Sequence, residues 1–496
     1  MSFIQNVPLF SVMLPILCAV ACMPLKARFA VRLTFVSCAA VFVMSAGLLV
    51  HTAQTGSSYI YMMGHFPAPF GNELRAGPFE SLAAAVFSAV MLCSAAGGLE
   101  DVRRTVPVQK TNLFYVMINI LMAAMLVINY TNDLFTAFIF IDIITISACS
   151  VICFKPGGKP LVASMTYLVM SLAGSALILF SIALLYGITG HLLMSGLKES
   201  ISLLVASGQY NLQLFIAAAM MTAGIGIKSA LFPFHTWLPD AYTNAVTTAS
   251  SVLSGLITKC CLLLLIKLIF RVFGLENMNL LRVTDLLTVF GMAGLVWGAV
   301  CAARQRNIKR MLSYASVYQI GFIAACIGLG TFEGMAAASY HMLVHASAKS
   351  MLFCAAGALI QANPKHSMNL SDLRGTARRV PLAGVAFVIG GFSLIGVPPF
   401  SGFFSKMLLA DAAAGTRFWL PVFLVCIVAG TLLSTLYYLP AMAGMFLHAP
   451  ENGGGRVKLA FSETAGLWMF LILNLALGLF SQPVISLIEK GLMVFS

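Results

Sequence analysis

The chain has 496 residues, of which 60% are hydrophobic and only 9% are charged. Soluble globular proteins carry about 25% charged residues, so this composition excludes an ordinary soluble enzyme. The long unbroken apolar runs also exclude a transmembrane β-barrel, whose strands alternate apolar and polar residues. The sequence therefore predicts an all-α, polytopic membrane protein.

In chain order, the apolar runs predict about 14 transmembrane helices, since about 20 apolar residues cross a bilayer. We divide them as one membrane domain over residues 1–496, with no soluble appendage. Residues 1–105 hold helices 1–3, residues 106–275 a first group of five, residues 276–447 a second group of five, and residues 448–496 the last helix. The first apolar run lacks the basic start and the cleavage site of a signal peptide. We therefore expect it to be kept in the mature protein as a membrane helix.

Basic residues fall unevenly between the two sides of the predicted helices. Of the 29 Lys and Arg residues, 18 lie in one set of connections, among them Lys309 and Arg310. Six lie on the other side: Arg75, Lys198, Arg271, Arg282, Arg417 and Lys490. This positive-inside bias predicts a multi-pass protein of the inner (cytoplasmic) membrane with both termini outside. The formal charge of +13 is thus a topology signal, and a nucleic-acid partner is not expected.

Two helices are interrupted by proline and glycine, each beside a lysine. In the seventh helix, GIGIKSALFPFHTWLPDAY, Pro233 and Pro239 interrupt the helix just after Lys228. In the twelfth, SLIGVPPFSGFFSKMLLAD, the break at Pro398, Pro399 and Gly402 precedes Lys406. Irregular backbone persists in a membrane only where protein or a wet cavity surrounds it. Breaks five helices apart predict two inverted five-helix repeats, because an odd number of helices reverses the second copy.

Six ionisable side chains stand inside predicted helices: Asp142, Lys228, Lys259, Lys267, Lys349 and Lys406. Each charge at a bilayer centre costs about 2.5–3.5 kcal/mol, so such residues are rarely kept without a function. Asp142 either serves helix packing or pairs with a lysine in a proton relay. Lys228, Lys259 and Lys406 are the lysines we assign to that relay. Lys267 lies near the outer end of its helix, where we expect its side chain to extend to the membrane–water interface and act as an anchor.

Histidines supply further candidates for proton transfer. His341, His345 and Lys349 follow one another at intervals of four residues and so share one helix face. The pair HMLVH lacks the glutamate of HExxH and a third ligand, so we expect packing or a proton-conducting stripe and no metal. His235, at the first break, either caps broken backbone or exchanges protons with Lys228.

Cofactor sites are not predicted in this chain. Its 12 cysteines form no CxxC pair, so an iron–sulfur cluster is not expected. Neither GxGxxG nor GxxxxGK[ST] occurs, so nucleotide binding has no support.

The stretches IKSALFPFHTWLPDAYTNA, LSGLITK, RNIKRMLSYASVYQIGF, DLRGTARRVPLAG and GVPPFSGFFSK resemble the antiporter-like subunits of respiratory complex I. That family includes the D-type subunit of Mrp sodium/proton antiporters and membrane subunits of energy-converting hydrogenases. The similarity covers roughly residues 110–445 and implies fourteen helices in two five-helix repeats.

The resemblance also implies roles for individual residues. Asp142 falls on the acid of the fifth helix, and Lys228, Lys259 and Lys406 fall on the lysines of the seventh, eighth and twelfth. His341 and His345 match the polar stretch of the eleventh helix. The family's acid is usually glutamate, so the shorter Asp142 puts a tight contact with Lys228 in doubt.

Two further positions depart from the family. Thr166 replaces a lysine often found in the sixth helix, and Val246 replaces a frequent proline. These changes leave open a structural scaffold with reduced or lost pumping.

The leading hypothesis is a subunit that translocates protons, or exchanges them for Na⁺, within a larger membrane complex. Its expected partners are other membrane subunits and the lipid bilayer. The parent is either a complex-I-like dehydrogenase or hydrogenase, or an Mrp-type antiporter. Whether the chain belongs to an enzyme stays open, because it carries no redox centre of its own.

Overall fold

The structure, a computed structural model, describes residues 3–63, 66, 71–416, 420–449 and 455–495. Arg417, counted among the outer basic residues, lies outside the described residues.

Three membrane helices form the N-terminal part. A 3₁₀ turn, Phe3–Asn6, leads into α1 (Val7–Cys22), and α2 (Ala27–Thr55) follows it. Strands β1 (Tyr59–Met62) and β2 (Glu73–Ala76) pair antiparallel, with Tyr59 opposite Ala76. Helix α3 (Pro78–Gly97) begins with proline, which suits the first turn because its missing N–H has no helical partner there. The short α4 (Leu99–Thr105) completes this part.

The first repeat consists of long apolar helices and one broken helix. It contains α5 (Val108–Tyr130), α6 (Leu134–Cys153), α7 (Gly158–Thr189) and the peripheral α8 (Met194–Ala206). The broken helix is α9 (Asn211–Ser229), a 3₁₀ turn (Phe234–Trp237) and α10 (Leu238–Asn244). The next span is α11 (Thr247–Val252), a π turn (Leu253–Ile257), α12 (Thr258–Leu268) and a second π turn (Ile269–Phe273).

The second repeat follows the short α13 (Leu275–Leu280). It contains α14 (Val283–Ala303), α15 (Ile308–Gly328), α16 (Phe332–Ala362), α17 (Thr376–Arg379), α18 (Pro381–Ile395), α19 (Ser401–Ala414) and α20 (Leu420–Leu447). The chain then forms α21 (Phe461–Leu479) and α22 (Ser481–Met493).

The predicted fold class is confirmed. Within the described residues, thirteen helical segments are long and apolar enough to cross a membrane. The pair α18 and α19, separated by the Pro398–Pro399 break, makes the fourteenth. The first break falls at Pro233 and the second at Pro398 and Pro399, as predicted, whereas Pro239 lies in the first turn of α10, where proline is tolerated, and interrupts no helix. The exact repeat boundaries, 106–275 and 276–447, stay a prediction.

Burial separates an inner set of helices from an outer one. The span 247–273, α15 and α16 are almost wholly buried, whereas fewer than half of the residues in the most apolar windows of α2, α7 and α20 are buried. The inner helices carry most of the charged and histidine side chains discussed above. Those groups therefore face other helices and not lipid, which is where intramembrane charges are tolerated.

Three basic residues lie elsewhere than predicted. Lys267 is fully buried, and its ammonium donates hydrogen bonds to the backbone oxygens of Ile128, Asn129 and Thr131. The prediction of an interface anchor is therefore wrong, because this side chain binds the carbonyl groups at the end of α5.

Arg271 and Lys309, predicted in connections, are buried inside the helical bundle. Arg271 pairs with Glu80 at 2.5 Å between Nη2 and Oε1. Lys309 lies in the first turn of α15 and is only 2% exposed.

Candidate functional site: a row of buried ionisable residues

An ion pair stands at the first helix break. Lys228 is the penultimate residue of α9, and its Nζ lies 3.3 Å from Oδ1 of Asp142 on α6. The lysine also donates to the hydroxyl of Thr145 at 2.8 Å. Ser175 of α7 donates its hydroxyl to the same aspartate oxygen. The shorter Asp142 therefore reaches Lys228, and two hydroxyl groups complete the pair.

The pair is unequally buried. The side chain of Lys228 is 3% exposed and that of Asp142 is 32% exposed. Asp142 lies in the middle of α6, so part of its carboxylate faces the outside of this chain at membrane depth. A charge in that position needs water or another polypeptide beside it.

Lys259 is fully buried in the next membrane span along the chain, in the segment α12. Its ammonium donates to the backbone oxygen of Ser254 and, at 2.9 Å, to the hydroxyl of Thr258. Ser254 belongs to the π turn before α12, and π turns break the regular i→i−4 hydrogen bonding of a helix. The helix irregularity thus supplies a carbonyl acceptor to a lysine that forms none of the ion pairs found among the described residues.

The polar face predicted on α16 is present. His341 and His345 stack, with ring centroids 6.3 Å apart and 13° between the ring planes. His341 contacts Gln319 at 2.7 Å through Nε2 and Ser405 at 2.8 Å through Nδ1. Both ring nitrogens of the fully buried His345 lack a hydrogen-bond partner among the described residues. A neutral imidazole carries a proton on one nitrogen and a lone pair on the other, so it can take up a proton at one side of the ring and release one from the other.

Lys349 lies at the end of that face. It is fully buried, and its ammonium donates to the hydroxyl of Tyr438 at 3.2 Å. This tyrosine comes from α20, so the contact ties the polar face to the last helix of the second repeat.

The second break holds Lys406. Its Nζ donates to the backbone oxygen of Ile395 at 2.5 Å and to the hydroxyl of Thr431 at 2.7 Å. Ile395 is the last residue of α18, so the ammonium lies at the negative end of a half helix, where a cation is stabilised. Each broken helix therefore has a lysine beside it, as the sequence indicated.

His235 is buried at the first break, where its ring stacks on Phe232 with centroids 5.5 Å apart. The side chain that caps α9 there is Trp237, whose Nε1 donates to the backbone oxygen of Ile227 at 3.0 Å. A proton-exchange role for His235 stays a prediction.

Several hydroxyl and amide groups of the row were not predicted from the sequence. They are Thr145, Ser175, Gln319, Ser405 and Thr431. Gln319 could have been found, because it is a lone amide inside an apolar helix. Serine and threonine are too common in membrane helices to carry such a signal.

In the part of the chain that the structure describes, no group of three or more His, Cys, Asp or Glu side chains is arranged to hold a metal ion. The row brings together amine, imidazole, carboxylate and hydroxyl groups, all of which can exchange protons.

Comparison with known proteins gives a consistent result. Residues 131–434 match the family described as NADH:quinone oxidoreductase/Mrp antiporter, TM. The chain is 30% identical to NADH-quinone oxidoreductase subunit N of Desulforudis audaxviator, covering 97% of each protein. It is 26% identical to the D-type subunit of the Na(+)/H(+) antiporter of Bacillus subtilis, covering 98% of this chain and 96% of that one.

A solved structure is equally similar over its whole length. A chain of the membrane-bound sulfane sulfur reductase (MBS), an archaeal respiratory membrane complex, superposes with a TM-score of 0.88. That chain is 26% identical, and the match covers 99% of this chain and 98% of that one.

Proposed function

Since the chain belongs to the family described as NADH:quinone oxidoreductase/Mrp antiporter, TM, we propose that it is an ion-translocating subunit of a multi-subunit membrane complex. The observation that carries this proposal is the Asp142–Lys228 ion pair at the first helix break, which begins a row of buried ionisable side chains. The row continues through Lys259, the polar face of α16 and Lys406 at the second break.

The chemistry of the row is proton transfer between groups that cannot all be charged together. A buried ammonium is costly unless a counter-charge or hydrogen bonds stabilise it. The carboxylate of Asp142 stabilises the ammonium of Lys228, so separating the two side chains favours release of the lysine's proton. Lys259, the histidines of α16 and Lys349 are the acceptors that follow, and Lys406 is the last in the row.

The driving energy comes from outside this chain. Moving one charge across 100 mV requires about 2.3 kcal/mol. A partner subunit that carries out a redox reaction, or an opposing ion gradient such as Na⁺, must supply it. The partly exposed Asp142 supports a partner subunit packed against α6, since another polypeptide would cover the carboxylate. By the charge bias, we place the chain in the cytoplasmic membrane with both termini outside.

The test is ion transport by the assembled complex in sealed vesicles. Proton movement is followed with a pH-sensitive dye and sodium movement with radioactive Na⁺. Lys228→Ala and Lys406→Ala should each abolish transport while the complex stays assembled. Lys110→Ala removes an exposed lysine of α5 and should have no effect.

The outcomes separate the alternatives. Proton uptake without sodium exchange indicates a proton-pumping subunit, and obligatory exchange indicates an Mrp-type antiporter. If both lysine variants transport ions normally, the chain is a scaffold and the proposed function is wrong.

A further inference from the structure

Charged side chains from two other parts of the chain hold the link between α10 and α11. Lys309 of α15 donates its ammonium to the backbone oxygen of Ala245 at 3.0 Å. Asp101 of α4 accepts a hydrogen bond from the backbone N–H of Thr247 at 2.6 Å, through Oδ2. Val246 is the single residue between Ala245 and Thr247. We call Lys309 and Asp101 the link clamp.

The link clamp satisfies backbone groups that a helix leaves without partners. Ala245 follows the last residue of α10, and Thr247 is the first residue of α11. A helix carries partial negative charge at its C-terminal end and partial positive charge at its N-terminal end, so an ammonium and a carboxylate suit these two ends. The interactions therefore fix where α10 ends and where α11 begins.

Asp101 is charged at neutral pH. Burial alone raises the pKa of its carboxyl group. The positive charge of Lys309 and the hydrogen bonds from Thr247 and Thr105 outweigh that effect and lower the pKa below its ordinary value.

The link clamp is connected to the first ion pair through α10. Trp237, just before α10, donates to the backbone oxygen of Ile227, the neighbour of Lys228. At the start of α10, Asp240 lies 3.0 Å from Nη1 of Arg310. Neighbouring residues in the first turn of α15 thus contact both ends of α10, through the exposed Asp240–Arg310 pair at one end and the buried Lys309 at the other.

The same helix α15 reaches the second repeat. About three turns further along, Gln319 contacts His341 through its side-chain oxygen and donates to the backbone oxygen of Leu394 at 3.4 Å. Leu394 lies one residue before the end of α18, next to the second break. A single buried helix therefore contacts the half helix α10 at one end and the surroundings of His341 and Lys406 at the other.

We propose that Lys309 and Asp101 are positioning residues that couple the Asp142–Lys228 pair of the first repeat to His341 and Lys406 of the second repeat, through α10 and α15. The inference rests on the proposed ion-translocating function. A change in the charge of Lys228 alters its contacts at the end of α9, the displacement passes to α10, and the link clamp transmits it to α15.

The experiment measures this communication directly by hydrogen–deuterium exchange on the assembled complex. When it is the only substitution in the complex, Lys228→Met should change the hydrogen–deuterium exchange of residues 238–247 and also that of residues 315–325. In the double variant Lys228→Met with Lys309→Met, only residues 238–247 should change. Arg304→Gln, which replaces an exposed basic residue just before α15, is the matched control and should leave the communication intact.

Transport gives the second readout. Lys309→Met and Asp101→Asn should each lower ion transport in vesicles by a factor within the range of about 5 to 150 that is typical of coupling between sites. Asp101→Asn keeps an acceptor for the N–H of Thr247, so it tests the charge even if Lys309→Met prevents assembly.

The proposal is overturned if assembled Asp101→Asn and Lys309→Met complexes transport normally, or if residues 315–325 still respond to Lys228→Met without the link clamp. Either result leaves the proposed function intact, as long as Lys228→Ala abolishes transport. If the parent itself moves no ions, the proposed function fails, and the exchange measurement still decides whether the two repeats communicate through Lys309.

Discussion

At the level of single residues, the first test concerns the carboxylate of Asp142. Replacing it by asparagine keeps the size of the side chain but removes the charge that stabilises the ammonium of Lys228. We expect the lysine to lose its proton too readily and ion transport to fall, with the complex still assembled. Asp142→Glu should transport at least as well as the parent, because it keeps the charge and adds reach.

These two variants distinguish a role of Asp142 in proton transfer from a role in helix packing. They are compared at matched expression in sealed vesicles. A packing role predicts that both substitutions leave transport unchanged and alter only thermal stability. Parent-like transport by Asp142→Asn would remove this residue from the relay.

A second residue-level prediction concerns stability. Glu80 pairs with Arg271 where both side chains are almost fully buried. Removing one partner of a buried ion pair costs about 3–5 kcal/mol, because the other charge is left uncompensated. Glu80→Gln should therefore lower the thermal stability of the purified complex clearly. Glu100→Gln removes the partner of the exposed Arg103 and should change it little, since such pairs contribute about 0–1 kcal/mol. Equal shifts for the two variants would contradict this assignment.

The charged residues of the site could be read from the sequence, but their partners could not. Lysines and an aspartate inside apolar runs stand out because of their insertion cost. Lys267 shows the limit of this reasoning. Its distance from the helix end predicted a lipid interface, whereas tertiary packing places three backbone carbonyls around its ammonium. Such contacts join residues more than 130 positions apart, which local sequence does not reveal.

At the level of elements, the break between α18 and α19 depends on glycine. Gly396 has a φ of 89°, which favours a residue without a Cβ atom. A Cβ at Gly402 would collide with the backbone oxygen of Ser393, so the two half helices approach as closely as glycine allows. Both residues precede Lys406, whose ammonium reaches back across the break to Ile395.

We therefore predict that Gly402→Ala forces α18 and α19 apart and impairs both transport and stability. Overpacking of this kind typically costs about 1–3 kcal/mol. Gly415→Ala is the control, since the nearest atom to a Cβ there is the backbone oxygen of Ala412 at 3.6 Å, an ordinary contact. Measurements are thermal unfolding of the complex and proton uptake in vesicles. Parent-like behaviour of Gly402→Ala would show that the close approach is dispensable.

Breaks are predictable from sequence because proline and glycine act on the backbone locally. The π turns before and after α12 are different. Their residues, Leu253–Ile257 and Ile269–Phe273, contain no proline, and their geometry depends on helices packed around them. The peripheral α8 packs on the second π turn, which is also a tertiary effect.

At the level of the whole molecule, two repeats with a break in each place two lysines at comparable backbone irregularities. The inner helices α11, α12, α15 and α16 fill the space between them and carry Lys259, the histidines and Lys349. This arrangement gives a lateral row of ionisable groups that are buried inside the chain, except for the partly exposed Asp142. The members of this row are spread across both repeats, which is the arrangement that the proposed ion translocation uses.

The orientation of the whole chain is the last prediction. The positive-inside bias requires the 361–380 connection to face the cytoplasm and the 52–77 connection to face outwards. Lys365 has a side chain 57% exposed, and Ser57 is also exposed, so cysteine at either position should be reachable by a reagent. A membrane-impermeant maleimide added to intact cells should label Ser57→Cys, and should label Lys365→Cys only after the membrane is opened.

The native Cys153 is exposed and lies beside a predicted cytoplasmic connection, so it would also react with the reagent. It is therefore replaced by serine in both variants. A third chain that keeps Cys153 serves as an internal reference. Labelling of Lys365→Cys in intact cells would invert the orientation, and with it the direction of the proposed ion translocation.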